Sequence, residues 1–222
     1  MNGIILSVYF VLLIQQVFSI RTAATKVVNF KLYISPDGRD AFLRKGRTIE
    51  ESVEGAISKL EETLDTFMLH FGDPIKVKFK PTYATELPVG VDLDKCDRDI
   101  ISISDMLNNF NRDDSLSSSI IIMSCNAYPY NDAFRVVGQK VPYITHSISA
   151  LCTTRTVIFL ETEEAKFLSV FTTALVRAAG INITNPLLYE EVIEGDRGVH
   201  YEIRVSSDTI ESFKDNRCFY SA

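Results

Sequence analysis

Three histidines, four cysteines and one glycosylation sequon are the groups in this 222-residue chain best suited to chemistry. His70, His146 and His200 stand on separate segments, with no pair three or four residues apart. A helical zinc site needs two histidines one turn apart, so that both ring nitrogens face one ion. The sequence therefore predicts no metal site, and nothing in it calls for a cofactor. Cys96, Cys125, Cys152 and Cys218 form no C-x-x-C pair, which excludes a zinc knuckle or a thioredoxin-type motif. There is no G-x-S-x-G and no glycine-rich phosphate loop. Asn182-Ile183-Thr184 is the sequon. A glycan on Asn182 and a buried, unmodified asparagine both fit that pattern.

Residues 1–19 carry no charged side chain and include the apolar run Ile4 to Ile14. That run is short for a bilayer span and fits the core of a secretory signal. Val17 and Ser19 are small enough to flank a cleavage site, and Arg21 follows. The expectation is a signal peptide over 1–19 and one secreted domain over 20–222; an uncleaved anchor is the alternative. In an oxidising compartment four cysteines imply two disulfides, with three possible connectivities. The net charge of −6, with no basic stripe of nucleic-acid type, argues against nucleic acid and anionic membrane as partners.

Phe30, Leu32 and Ile34 alternate with polar neighbours and predict a strand, closed by a turn at Pro36-Asp37-Gly38. Thr48 and Glu51 form a capping box. Val53, Ile57, Leu60, Leu64, Phe67, Met68 and Phe71 then follow at helical spacing. Glu50, Glu51, Glu54, Glu61, Glu62 and Asp65 mark the solvated face of that helix. Ile75, Val77 and Phe79 alternate with Lys76, Lys78 and Lys80, as in a half-buried strand whose lysines protect a surface or edge. A polar loop around Pro88 precedes an amphipathic helix through Ile100, Ile103, Leu107 and Phe110. Ser119–Met123 reads as a central strand buried on both sides. After a long loop come a strand over Thr154–Leu160 and a helix opened by Glu163 and Glu164, with Phe167, Phe171 and Leu175 on a wide apolar face. A short helix over Asp208–Asn216 precedes Cys218. Strands separated by helices predict an α/β fold with a mostly parallel sheet.

Several phrases resemble a known family. Lys31-Leu32-Tyr33-Ile34, Asp105-Met106-Leu107-Asn108-Asn109-Phe110, Gly138 with Cys152 before a strand, and Ser206–Phe213 before Cys218-Phe219-Tyr220 look like successive landmarks of the ADAM/reprolysin metalloprotease domain, a metzincin. The resemblance implies a mixed, mostly parallel five-stranded twisted sheet with long helices packed on it, and a Cys152–Cys218 disulfide. Cys96 and Cys125 would then form the second. In that family the late helix carries H-E-x-x-H-x-x-G-x-x-H. Placing Gly180 on the motif glycine puts Thr173 at the first histidine, Ala174 at the glutamate, Arg177 at the second histidine and Ile183 at the third. Neither Thr173 nor Ile183 is a useful zinc ligand, Ala174 accepts no proton, and Arg177 brings a permanent positive charge to a cation's position.

On that resemblance the chain is a secreted pseudoprotease that binds a protein or peptide ligand without turnover. The peptide would add to an edge strand at Arg155, Thr156, Val157 and Ile158, with Thr173 and Arg177 lining the cleft, or with Arg177 paired to Glu190 or Glu191. The alternative is a structural or interaction module that makes contacts through the Tyr128–Tyr143 loop or the Lys76–Lys80 stripe; an enzyme with a non-standard site is the third reading.

Overall fold

The computed structural model describes residues 24–44, 46, 48–70, 75–84, 117–123, 143–148, 153–159, 164–183, 187–193, 199–214 and 216. Strand β1 (Ala24–Ile34) runs into helix α1 (Pro36–Leu43) and helix α2 (Ile49–His70), followed by strand β2 (Ile75–Tyr83). Strands β3 (Ser118–Met123), β4 (Tyr143–Ile148) and β5 (Thr153–Phe159) lead to helix α3 (Glu164–Ala178). A hairpin of β6 (Leu188–Ile193) and β7 (Val199–Arg204) precedes helix α4 (Ser207–Lys214).

The main sheet has five strands in the order β2-β1-β3-β5-β4. β2, β1, β3 and β5 run parallel, and β4 closes the far edge antiparallel to β5. The fold is thus mixed α/β, as the alternation of strands and helices predicts. β3 lies at the centre and is buried along its whole length. This explains its unbroken apolar run: both of its faces are covered.

One face of the sheet makes the core. Phe30 and Leu32 of β1, Val77 and Phe79 of β2, Ile120 and Ile122 of β3 and Ile158 of β5 meet Leu60, Leu64 and Met68 of α2 and Phe171 and Leu175 of α3. Phe42 of α1 meets Phe167 edge-on at 5.1 Å, and Phe167 stacks on Phe171 at 5.6 Å. α4 adds Ile210 and Phe213.

The capping box at the start of α2 is in place. The Thr48 amide donates to Glu51 Oε2 at 2.9 Å, and the Glu51 amide donates to Thr48 Oγ1 at 3.1 Å. Pro36-Asp37-Gly38 is not an isolated turn, however. It is the first turn of α1, with Ser35 as N-cap accepting from the Gly38 amide at 3.1 Å. Proline suits the first helical position because its missing N–H would lack a partner there anyway, so the turn signal and the helix start share one spelling. β4 stands in the stretch read as a long loop, and the β6–β7 hairpin stands where the sequence pattern named no element. The expected helix around Ile100–Phe110 and all four cysteines lie outside the described residues.

β2 forms one edge of the sheet, and Glu61 of α2 guards it. Its carboxylate accepts from the Phe79 amide at 2.8 Å, an amide left over by the β1 ladder, and from Lys78 Nζ at 2.5 Å. The hydrogen bond to Glu61 holds the Lys78 ammonium above its ordinary value, against a smaller opposing effect of burial. Lys78 is 42% exposed, so solvent screens most of the ion pair, and the backbone bond dominates. Replacing Glu61 by Ala should cost about 1–2 kcal/mol in urea unfolding, and Gln should cost less because it can still accept from Phe79. A raised lysine value stabilises fully below the ordinary lysine range and is lost as pH climbs through the folded value. The gap between wild type and Glu61→Gln should therefore hold steady up to about pH 10 and shrink above it.

Candidate functional site

The residues expected to floor a cleft sit on the last two turns of α3 and just beyond. Thr173 and Ala174 are 0% and 1% exposed, and Ile183 is 7% exposed. Thr173 is a joint rather than a lining. Its hydroxyl donates to the Ser169 carbonyl at 2.7 Å and accepts from the Leu187 amide at 2.8 Å. Ser169, one turn earlier, donates to the Leu187 carbonyl. Two hydroxyls at i and i+4 on one helix face thus hold both polar backbone groups of Leu187, the residue that leads into β6.

Arg177 reaches past the helix end. One guanidinium nitrogen donates to the Ile183 carbonyl and another lies 3.5 Å from Asn182 Oδ1. Asn182 is exposed. Ala174 packs in the apolar core with Phe171 and Leu175.

Gly180 has its own physical reason. Its φ is 79°, a left-handed conformation. Its amide donates to the Arg177 carbonyl at 2.8 Å, and the Ile181 amide donates to Val176 at 3.3 Å. These two bonds are the Schellman motif that ends a helix, and its left-handed position favours glycine. A glycine three residues after Arg177 is therefore a helix stop.

The helix end is tied to the sheet and to α4 as well. Ser118 of β3 donates to the Ala178 carbonyl at 2.9 Å and accepts from the Thr154 amide of β5 at 3.1 Å. Asn216 donates to the Ala179 carbonyl at 2.6 Å. Together these groups close a polar seam where a cleft was expected. Sequence reasoning missed Ser118, Ser169 and Asn216. For Ser169 and Thr173 the available signal was two hydroxyls one turn apart on a helix with a wide apolar face.

The expected peptide-binding edge is not an edge. Arg155, Thr156, Val157 and Ile158 lie on β5, paired with β3 on one side and β4 on the other. All four are buried, and Thr156 shares a 3.1 Å hydroxyl contact with Thr145 across the β4 register. The outer position belongs to β4. Among the described residues, no three histidine, cysteine or acidic side chains gather as metal ligands would.

A family model described as MICSWaP, spore wall protein, matches residues 27–219. A spore wall protein of Encephalitozoon cuniculi (strain GB-M1) is 29% identical over 191 residues, spanning 85% of this chain and 87% of the relative. These matches overturn the ADAM/reprolysin reading, and the terms metzincin-like, reprolysin-like and pseudoenzyme go with it. No comparison points to a metalloprotease. The phrases behind that reading were short, and the glycine that aligned them is accounted for by helix termination. Thr173, Ala174, Arg177 and Ile183 are thus not the remains of a zinc motif. They are core and seam residues.

Replacing Thr173 by Val keeps the volume but strands the Leu187 amide. The expected cost is about 1–3 kcal/mol in denaturant unfolding, whereas a residue on an open cleft floor would change stability little. Gly180→Ala should cost about 1–2 kcal/mol, since alanine must enter the left-handed region.

Proposed function

The chain belongs to the MICSWaP family of spore wall proteins, and from that membership we propose that it is a structural component of an extracellular spore wall. The family match over residues 27–219 carries this reading. The seam at the end of α3 supports it: the deepest polar groups of the late helix are spent on backbone carbonyls and amides of their own chain. A wall component works by persisting and by touching its neighbours, so its polar groups belong either in such seams or on the surface.

Residues 1–19 fit this role as the segment that sends the chain out of the cell, leaving 20–222 as one domain. Cys96, Cys125, Cys152 and Cys218 would form two disulfides there, since secreted chains meet an oxidising environment. The partners would be other wall constituents, engaged through the surface. No substrate or cofactor enters the mechanism. No helix among the described residues is long and apolar enough to cross a membrane.

Antibodies raised against the full chain test this directly on sectioned spores. Gold label should concentrate over the wall. Label confined to the cytoplasm would overturn the assignment.

A further inference from the structure

The two ends of the charge scale lie on opposite sides of one layer pair. α2 packs its apolar stripe on β1 and β2. Its outer face exposes Glu51, Glu54 and Glu62, and its single lysine or arginine is the half-buried Lys59. On the far side of the sheet, the β1–β2 register sets Thr25 beside Lys76, Val27 beside Lys78, Asn29 beside Lys80 and Lys31 beside Thr82. Side chains alternate along a strand, so these four pairs share the face that points away from α2. Lys78 reaches round the sheet edge to Glu61 of α2, which leaves Lys76 and Lys80 as the exposed lysines of that face, on a chain whose net charge is −6. Lys76, Lys80, Asn29 and Thr82 are exposed, and Val27 is 42% exposed. β3 and β5, by contrast, are buried on both faces. The basic patch is therefore limited to the β1–β2 end.

A helix is about 10 Å across, so Lys76 and Lys80 are separated from the exposed glutamates on the outer face of α2 by a helix and a sheet, more than a Debye length in physiological salt; Lys78 alone of the β2 lysines is seen to meet an α2 carboxylate, at the sheet edge. The spacings on the two surfaces agree. Lys76 and Lys80 lie about 13 Å apart along an extended strand. Glu54 and Glu62 lie about 12 Å apart along a helix. We propose that the lysine face of β1–β2 docks on the acidic face of α2 in a second copy of this chain. The contact joins two different surfaces, so it is head-to-tail, and each added copy presents both surfaces again. Stacks of this kind would let the chain build an extended layer. The proposal rests on the wall-component reading and names its partner as the chain itself.

Sedimentation of the full secreted chain at two salt concentrations tests it. At about 10 mM ionic strength the weight-average mass should rise at least roughly twofold above the monomer, and it should fall back to the monomer near 1 M, where screening is severe. The double variants Lys76→Glu/Lys80→Glu and Glu54→Lys/Glu62→Lys change only exposed side chains; circular dichroism melts should match wild type. Each variant alone should stay monomeric at low salt, and an equal mixture of the two should associate again, because their faces become complementary. A monomeric wild type at low salt, association that ignores both variants, or a mixture that fails to associate would overturn the proposal. So would a monomer that instead binds dextran sulfate through Lys76 and Lys80, since a polyanion would then be the occupant. Wall labelling together with a monomeric chain would discard the stacking and leave the wall assignment standing. Cytoplasmic label with salt-sensitive stacking would do the reverse.

Discussion

Everything downstream of the sheet depends on how the end of α3 satisfies its backbone. A helix leaves its last carbonyls without partners, and inside a core that costs free energy unless something donates to them. Ser118 donates to Ala178 and Asn216 to Ala179, while Gly180 turns the chain back to close the remaining bonds. Thr173 and Ser169 then fix Leu187, which sets where the β6–β7 hairpin starts. One seam thus couples the central strand, the late helix, the hairpin and α4. The bonds of Ser118, Thr173 and Asn216 to Ala178, Leu187 and Ala179 are buried, and leaving any one of these unmade is the costly event.

That seam also decides what the region can do. A catalytic or ligand-binding cleft needs polar groups that remain available to a substrate. Here the hydroxyls of Thr173 and Ser169 are already committed to Leu187, and Ala174 and Ile183 are core. Chemistry at this place would require breaking the joint that holds the hairpin. On the proposed wall role there is no such conflict, because the task would fall to outer surfaces. The division of charge between α2 and the far face of β1–β2 belongs to those surfaces.

The parts of the fold with a clean period could be read directly from the residues. β2 alternates lysine with apolar residues, α2 repeats its apolar positions every three to four residues, and β3 is apolar from Ile120 to Met123. All three stand where the pattern puts them. Tertiary context hid the rest. Pro36 ends a strand and starts a helix in the same step, so a turn signal concealed α1. β5 and β4 differ in position, not composition, and which one borders solvent is set by pairing that no local pattern records. Lys31 lies 45 residues before Lys76 in sequence and shares a sheet face with it only through the β1–β2 register. The protease likeness failed for a related reason. A strand, a helix stop and a cysteine before a strand are requirements of many α/β chains, and their order alone does not distinguish one family from another.

Hydrogen exchange of the Leu187 amide in the full chain is the most direct probe of the closed seam. If Thr173 holds that amide inside the core, it should exchange only through global unfolding, as slowly as the amides of β3. Exchange at loop rates while β3 stays protected would mean that the end of α3 is open, and that the region is a cleft after all.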